Sequence, residues 1–176
     1  MKKQLMILTA TLGLAVSVFG QGQVTLANNS SSLIRINDAV SGTPAAIGQL
    51  TFQLLAAAPG GSLAAVGTAP SNAAIAGRIA NTVFNITAVG SGLNADFQVR
   101  AWDSAFASYA AALGAGALTG QSVVFQSLTS PAGDPPALPV TLAGKYAGFA
   151  VQVPEPSTIA LGLIGAGSLL FLRRKK

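Results

Sequence analysis

Two uncharged apolar runs, Leu5–Phe19 near the beginning and Ser157–Leu172 near the end, limit what this chain can fold into. Each is long enough to be taken up by lipid or by the export machinery, which leaves about 135 residues between them for a folded domain. That length can bury one proper core and does not call for two. The chain has no cysteine, so neither a disulfide nor a lipoprotein anchor is open to it.

The C-terminal run is framed on both sides. Pro154-Glu155-Pro156 precedes it, and Arg173, Arg174, Lys175 and Lys176 follow it. As a helix, its 16 residues rise about 24 Å at about 1.5 Å per residue. The hydrocarbon core is about 30 Å thick and is usually crossed by roughly 20 residues. The run is short, but Arg173 can snorkel and the bilayer can thin, so a span over 157–172 is expected. Pro156 suits a first helical turn, where its missing N–H removes nothing, and Ser157 or Thr158 can satisfy remaining donors. The four cations complement the negative end of the helix dipole and, by the positive-inside rule, stay in the cytoplasm. A buried helix of a globular domain would carry a polar stripe, and this run is apolar on every face.

Taken together, Val153-Pro154-Glu155-Pro156-Ser157-Thr158, the Gly/Ala/Leu-rich run and the Arg173–Lys176 block resemble the PEP-CTERM protein-sorting domain. The resemblance covers about the last 24 residues. It implies recognition by an exosortase, an integral-membrane cysteine protease-transpeptidase of Gram-negative bacteria that make extracellular polysaccharide. It also implies processing at or near Pro154-Glu155-Pro156, with the helix as a temporary anchor and the basic end as a stop signal. The product would pass from an inner-membrane intermediate, with its cargo in the periplasm, to the outer envelope or the exterior.

Residues 1–20 read as a secretory signal peptide, which adds the secretion translocon and signal peptidase as partners. Lys2 and Lys3 form the basic n-region, and Val18-Phe19-Gly20 ends in a cut expected between Gly20 and Gln21. A cut after Gly22 and an uncleaved N-terminal anchor are the alternatives. The net charge of +5 then changes meaning, since six of ten cations lie in the two terminal segments. Residues 21–156 hold Arg35, Arg78, Arg100 and Lys145 against Asp38, Asp96, Asp103, Asp134 and Glu155, a net of −1. The basic balance reports topology, and no nucleic-acid partner is expected.

The region 21–152 predicts a secreted antiparallel β-sandwich with one short helix. Gln23–Leu26, Leu33–Ile36, Gln49–Leu54, Leu63–Val66, Asn81–Thr87, Phe97–Trp102, Gln121–Ser127 and Lys145–Val153 read as strands between turn signals. In Phe97–Trp102 the alternation puts Phe97, Val99 and Ala101 on one face and Gln98, Arg100 and Trp102 on the other. Ser104–Leu113 predicts a helix, with Phe106, Tyr109, Ala110 and Leu113 on one stripe, Asp103 or Ser104 as its cap and Gly114 at its end. Ser130–Pro139 reads as a stiff loop. The stretches Gln98–Asp103, Tyr109–Ala111, Ser122–Phe125 and Gly22–Asn29 also loosely resemble PEP-CTERM cargo of Verrucomicrobia-like bacteria, implying a single secreted β-domain.

Little chemistry is on offer. Without His or Cys there is no Ser-His or Cys-His nucleophile pair, no thiolate metal site and no imidazole ligand. Asp96 and Asp103 lie at opposite ends of one expected strand, over 20 Å apart at about 3.3 Å per residue, too far for two-carboxylate hydrolysis. No catalytic residue, metal site or cofactor is therefore expected. Arg100 and Trp102 share a face and are the candidate ligand face, able to stack on a sugar ring. The plainer reading packs Trp102 beneath the helix. The leading expectation is a non-enzymatic envelope or matrix protein associated with exopolysaccharide or biofilm. A carbohydrate-binding or adhesive module, a secreted hydrolase and a permanently anchored single-pass protein are the alternatives.

Overall fold

A computed structural model of the protein describes residues 21–71, 74–133 and 137–154. The expected signal segment 1–20 and spanning segment 157–172 lie outside the described residues. Among the described residues, no helix is long and apolar enough to cross a membrane.

The chain is mainly β. Its largest sheet runs β4 (Ala64–Pro70), β3 (Leu50–Ala57), β6 (Asn94–Asp103), β7 (Thr119–Gln121), with β8 (Phe125–Leu128) also paired to β6. All of its pairings are antiparallel. The central pair, β3 with β6, is where the alternation of the sequence is strongest. Phe52 faces Ala101, Leu54 faces Val99 and Ala56 faces Phe97, so a large side chain usually meets a small or slender one. All six are buried. Such cross-strand pairs stabilise one register over its neighbours.

A second sheet places β1 (Gln21–Leu26) between β5 (Thr82–Gly90) and β9 (Val140–Thr141). β1 pairs antiparallel to β5 and parallel to β9. Val24, Leu26 and Ile86 from this sheet join Phe52, Leu54, Phe97 and Val99 in one hydrophobic core. A third, two-stranded sheet pairs β10 (Ala150–Val151) with β2 (Arg35–Ile36) in parallel.

Several expectations need correction. The helix, α1, covers only Tyr109–Gly114, and its cap is Ser108, whose hydroxyl accepts from the Ala111 N–H. Residues 104–107 form a turn instead, because Asp103 closes on the Ala105 N–H at 2.9 Å and accepts from Phe106 through its carbonyl at 3.0 Å. Ala112 is the residue that α1 buries, while Leu113 is exposed. The expected strand 121–127 is interrupted, since Ser122 leaves the ladder and bonds Val99 through both its N–H and its hydroxyl. The expected strand 145–153 shrinks to β10, with Lys145 instead closing a turn on Leu142. Finally, the two parallel pairings depart from a wholly antiparallel pattern.

Candidate functional site

The expected processing motif begins where hydrogen bonding among the described residues stops. Val151 is buried in the core, and Asn37 N–H donates to its carbonyl at 2.9 Å. Gln152 forms a two-way bridge with Thr119, at 3.0 Å and 2.9 Å, and its side-chain amide donates to the Asn37 carbonyl. Among the described residues no ladder bond follows Gln152. Val153 is 52% exposed. Pro154 has no N–H to pair, and Glu155, Pro156, Ser157, Thr158 and the block Arg173–Lys176 lie outside the described residues. Two glycines let β10 dock. A Cβ on Gly120 would lie 2.2 Å from the Ala150 carbonyl oxygen, and one on Gly148 would lie 2.4 Å from that of Leu33.

At the other end, β1 begins at Gln21, the residue expected to follow the signal cut, with Gln21 facing Gly90. Gly20 lies outside the described residues. Gly22 is buried against the Thr129 side chain, and Gln23 N–H donates to Ser130 Oγ at 2.8 Å. A cut after Gly22 would remove two residues of β1 and place a charged amine on Gln23 where the neutral amide bonds Ser130.

The candidate ligand face is covered. Trp102 is only 2% exposed, its Nε1 donates to the Phe106 carbonyl at 2.9 Å, and its ring meets the edge of Tyr109 at 6.5 Å between centroids. The Arg100 guanidinium lies 5.2 Å from the Tyr109 ring centroid, and its Nε is buried without a hydrogen-bond partner. Helix α1 and the turn before it sit over both residues, as the packing reading of Trp102 anticipates. Tyr109 from the expected helical stripe supplies the ring contact, whereas Phe106 lies in the turn and contributes its backbone carbonyl.

The carboxylates are occupied locally. Asp96 accepts from Gly60 N–H at 2.7 Å and from the Gln126 side-chain amide at 2.8 Å. Asp103 holds its own turn, and Asp134 lies outside the described residues. Asp38 accepts through Oδ1 from Val40 N–H at 2.8 Å, Ser41 N–H at 2.6 Å and Ser41 Oγ at 2.9 Å. The backbone N–H of Ser41, followed by that of Val40, holds its carboxyl below the ordinary range. Among the described residues no three His, Cys, Asp or Glu side chains gather as a metal site.

A β-domain whose last bridge among the described residues is two residues before Pro154, with an apolar run and four cations beyond, has the layout of a cargo protein with a C-terminal sorting signal. The family model of the PEP-CTERM protein-sorting motif matches residues 152–176, starting at the last bridged residue. The motif implies an exosortase-targeted protein of the envelope or the extracellular space. No curated protein and no solved structure matches the chain.

Proposed function

We propose that this is a non-enzymatic exported protein, delivered by a cleaved signal at 1–20 and sorted by its C-terminal motif. In this reading, an exosortase processes it at or near Pro154-Glu155-Pro156 and releases a β-sandwich cargo to the outer envelope or matrix. There it serves a structural role associated with exopolysaccharide or biofilm. The carrying observation is the coincidence of the sorting-motif boundary with Gln152, the last hydrogen-bonded position among the described residues. Two sheets sharing one core support the sandwich. The covered Trp102 and the buried Tyr146 weigh against an adhesive sheet face built on those rings.

Mass spectrometry of the protein from its host, with membrane and extracellular fractions mapped at both ends, tests the reading. A chain beginning at Gln21 and ending near Pro154-Glu155-Pro156 is expected outside the membrane fraction. A chain that keeps Arg173–Lys176 in the membrane fraction would make the tail a permanent anchor and remove the sorting reading.

A further inference from the structure

We propose that the end of the domain from which the tail leaves rests on the lipid surface while the tail is inserted, with Val40 as the side chain that reaches it. This rests on reading 157–172 as a membrane anchor. β10 and β2 run parallel, Ala150 beside Arg35 and Val151 beside Ile36, so the segments that follow them leave the sheet in the same direction. The tail follows β10, and the loop 37–42 follows β2. Their bases are joined by the bonds between Asn37, Val151 and Gln152.

The loop is built to hold Val40 outward. Asn37 turns the chain with φ at 67°. Asp38 then gathers the N–H groups of Val40 and Ser41, Gly42 N–H donates to the Asp38 carbonyl at 3.1 Å, and Arg35 Nη1 donates to the Gly42 carbonyl at 2.6 Å. The fixed loop leaves Val40 86% exposed. Other apolar side chains are exposed at the same end. Gln152 bridges Thr119 at the start of β7, Thr119 pairs with Trp102 near the end of β6, and Leu50 at the start of β3 faces Asp103. Ile47 just before β3 is therefore at the tail end, about half exposed, as is Val153.

Distances agree with contact. Five residues from Gln152 to Ser157 extend at most about 18 Å. The polar headgroup layer takes up roughly 5–8 Å of that on each side of the bilayer. Gln152 thus stands within about 13 Å of the outer lipid surface even when the connection is fully stretched, and nearer otherwise. The loop is closed on itself, so Val40 stands out by less than about 11 Å, the span of three extended residues, and contact needs a connection that is less than fully stretched. A lipid surface is favoured over a second copy because the tail brings this end to the bilayer in every anchored molecule.

The absence of native cysteine makes the test direct. Val40→Cys, Val153→Cys and Leu128→Cys are each labelled with an environment-sensitive fluorophore in the full chain, reconstituted into phosphatidylcholine–phosphatidylglycerol vesicles carrying lipid-bound quencher. Leu128 is exposed and faces Asn94, at the opposite end of β6. Blue-shifted emission quenched by lipid at positions 40 and 153, but not at 128, is expected. Quenching at 153 without quenching at 40 overturns the proposal and leaves the anchor standing. Quenching at neither removes the anchor reading and the proposal with it. Equal quenching at 40 and 128, or a shift at 40 that appears without lipid and follows protein concentration, also overturns it, the latter in favour of a second copy.

Discussion

Tyr146 connects the two halves of the core. Its ring stacks on Phe125 at 4.9 Å between centroids, and its hydroxyl donates to the Ala27 carbonyl at 3.1 Å. Burial pushes its ionisation well above the ordinary tyrosine range. An unfolded chain ionises this phenol near pH 10 while the folded chain keeps it protonated. The folded state therefore binds more protons above that pH. Its stability advantage is complete below about pH 10 and declines as pH rises further, by about 1.4 kcal/mol per unit for this group. Alkaline thermal melts should show that decline. Tyr146→Phe should cost about 1 kcal/mol at neutral pH by losing one buried hydrogen bond, and should flatten the alkaline decline. Trp102→Ala should cost about 3–5 kcal/mol through the cavity left behind, readable by chemical unfolding.

These two residues show what was legible at this scale. The alternation in Phe97–Trp102 puts Phe97, Val99 and Ala101 together on one face, and all three are buried, but it does not show that Gln98 and Trp102 on the other face are buried as well. It puts Trp102 on the opposite face from Phe97 and says nothing of what covers that face. Cover comes from a turn and a helix whose position depends on Asp103 and Ser108 accepting particular N–H groups. Neither of those bonds has a period in the sequence.

Elements were legible in proportion to their length. β3 and β6, with 8 and 10 residues, repeat their pattern often enough to be read from the sequence. β2, β9 and β10 have two residues each. Two residues cannot display a period, and their parallel partners lie more than 100 positions away, as between Val24 and Val140. The helix was overextended because Ala-rich stretches have high intrinsic helix propensity, and nothing in that propensity marks where tertiary bonds stop the first turn. Ser108→Ala should cost roughly 0.5–2 kcal/mol by leaving the Ala111 N–H uncapped, with loss of amide protection confined to α1 in hydrogen exchange. Gly148→Ala should be more severe. Its Cβ would press on the Leu33 backbone, and a β10 lifted from β2 should appear as faster exchange at Arg35 and Asn37, whose N–H groups donate to Phe149 and Val151.

At the scale of the whole molecule, the proposed processing requires that the folded domain survive removal of its tail. The tail was the most legible segment, because its three parts are adjacent in sequence and need no tertiary partner to be recognised. The junction was less legible, since only the fold reveals that bonding continues through Gln152. That boundary limits where a processing enzyme can cut. A full chain and one ending at Pro154 should unfold at the same temperature in detergent, because no described bond is lost beyond Gln152. A chain ending at Phe149 loses the buried Val151 together with the bridges to Ile36 and Thr119. Burial of one valine contributes about 1.5–3 kcal/mol, and each of the bonds about 1 kcal/mol. The expected loss is at least about 3 kcal/mol, measured by urea unfolding of the two truncated chains side by side. Equal stability of the two would mean that β10 is not part of the fold, and processing could then occur upstream of the motif without damage to the cargo.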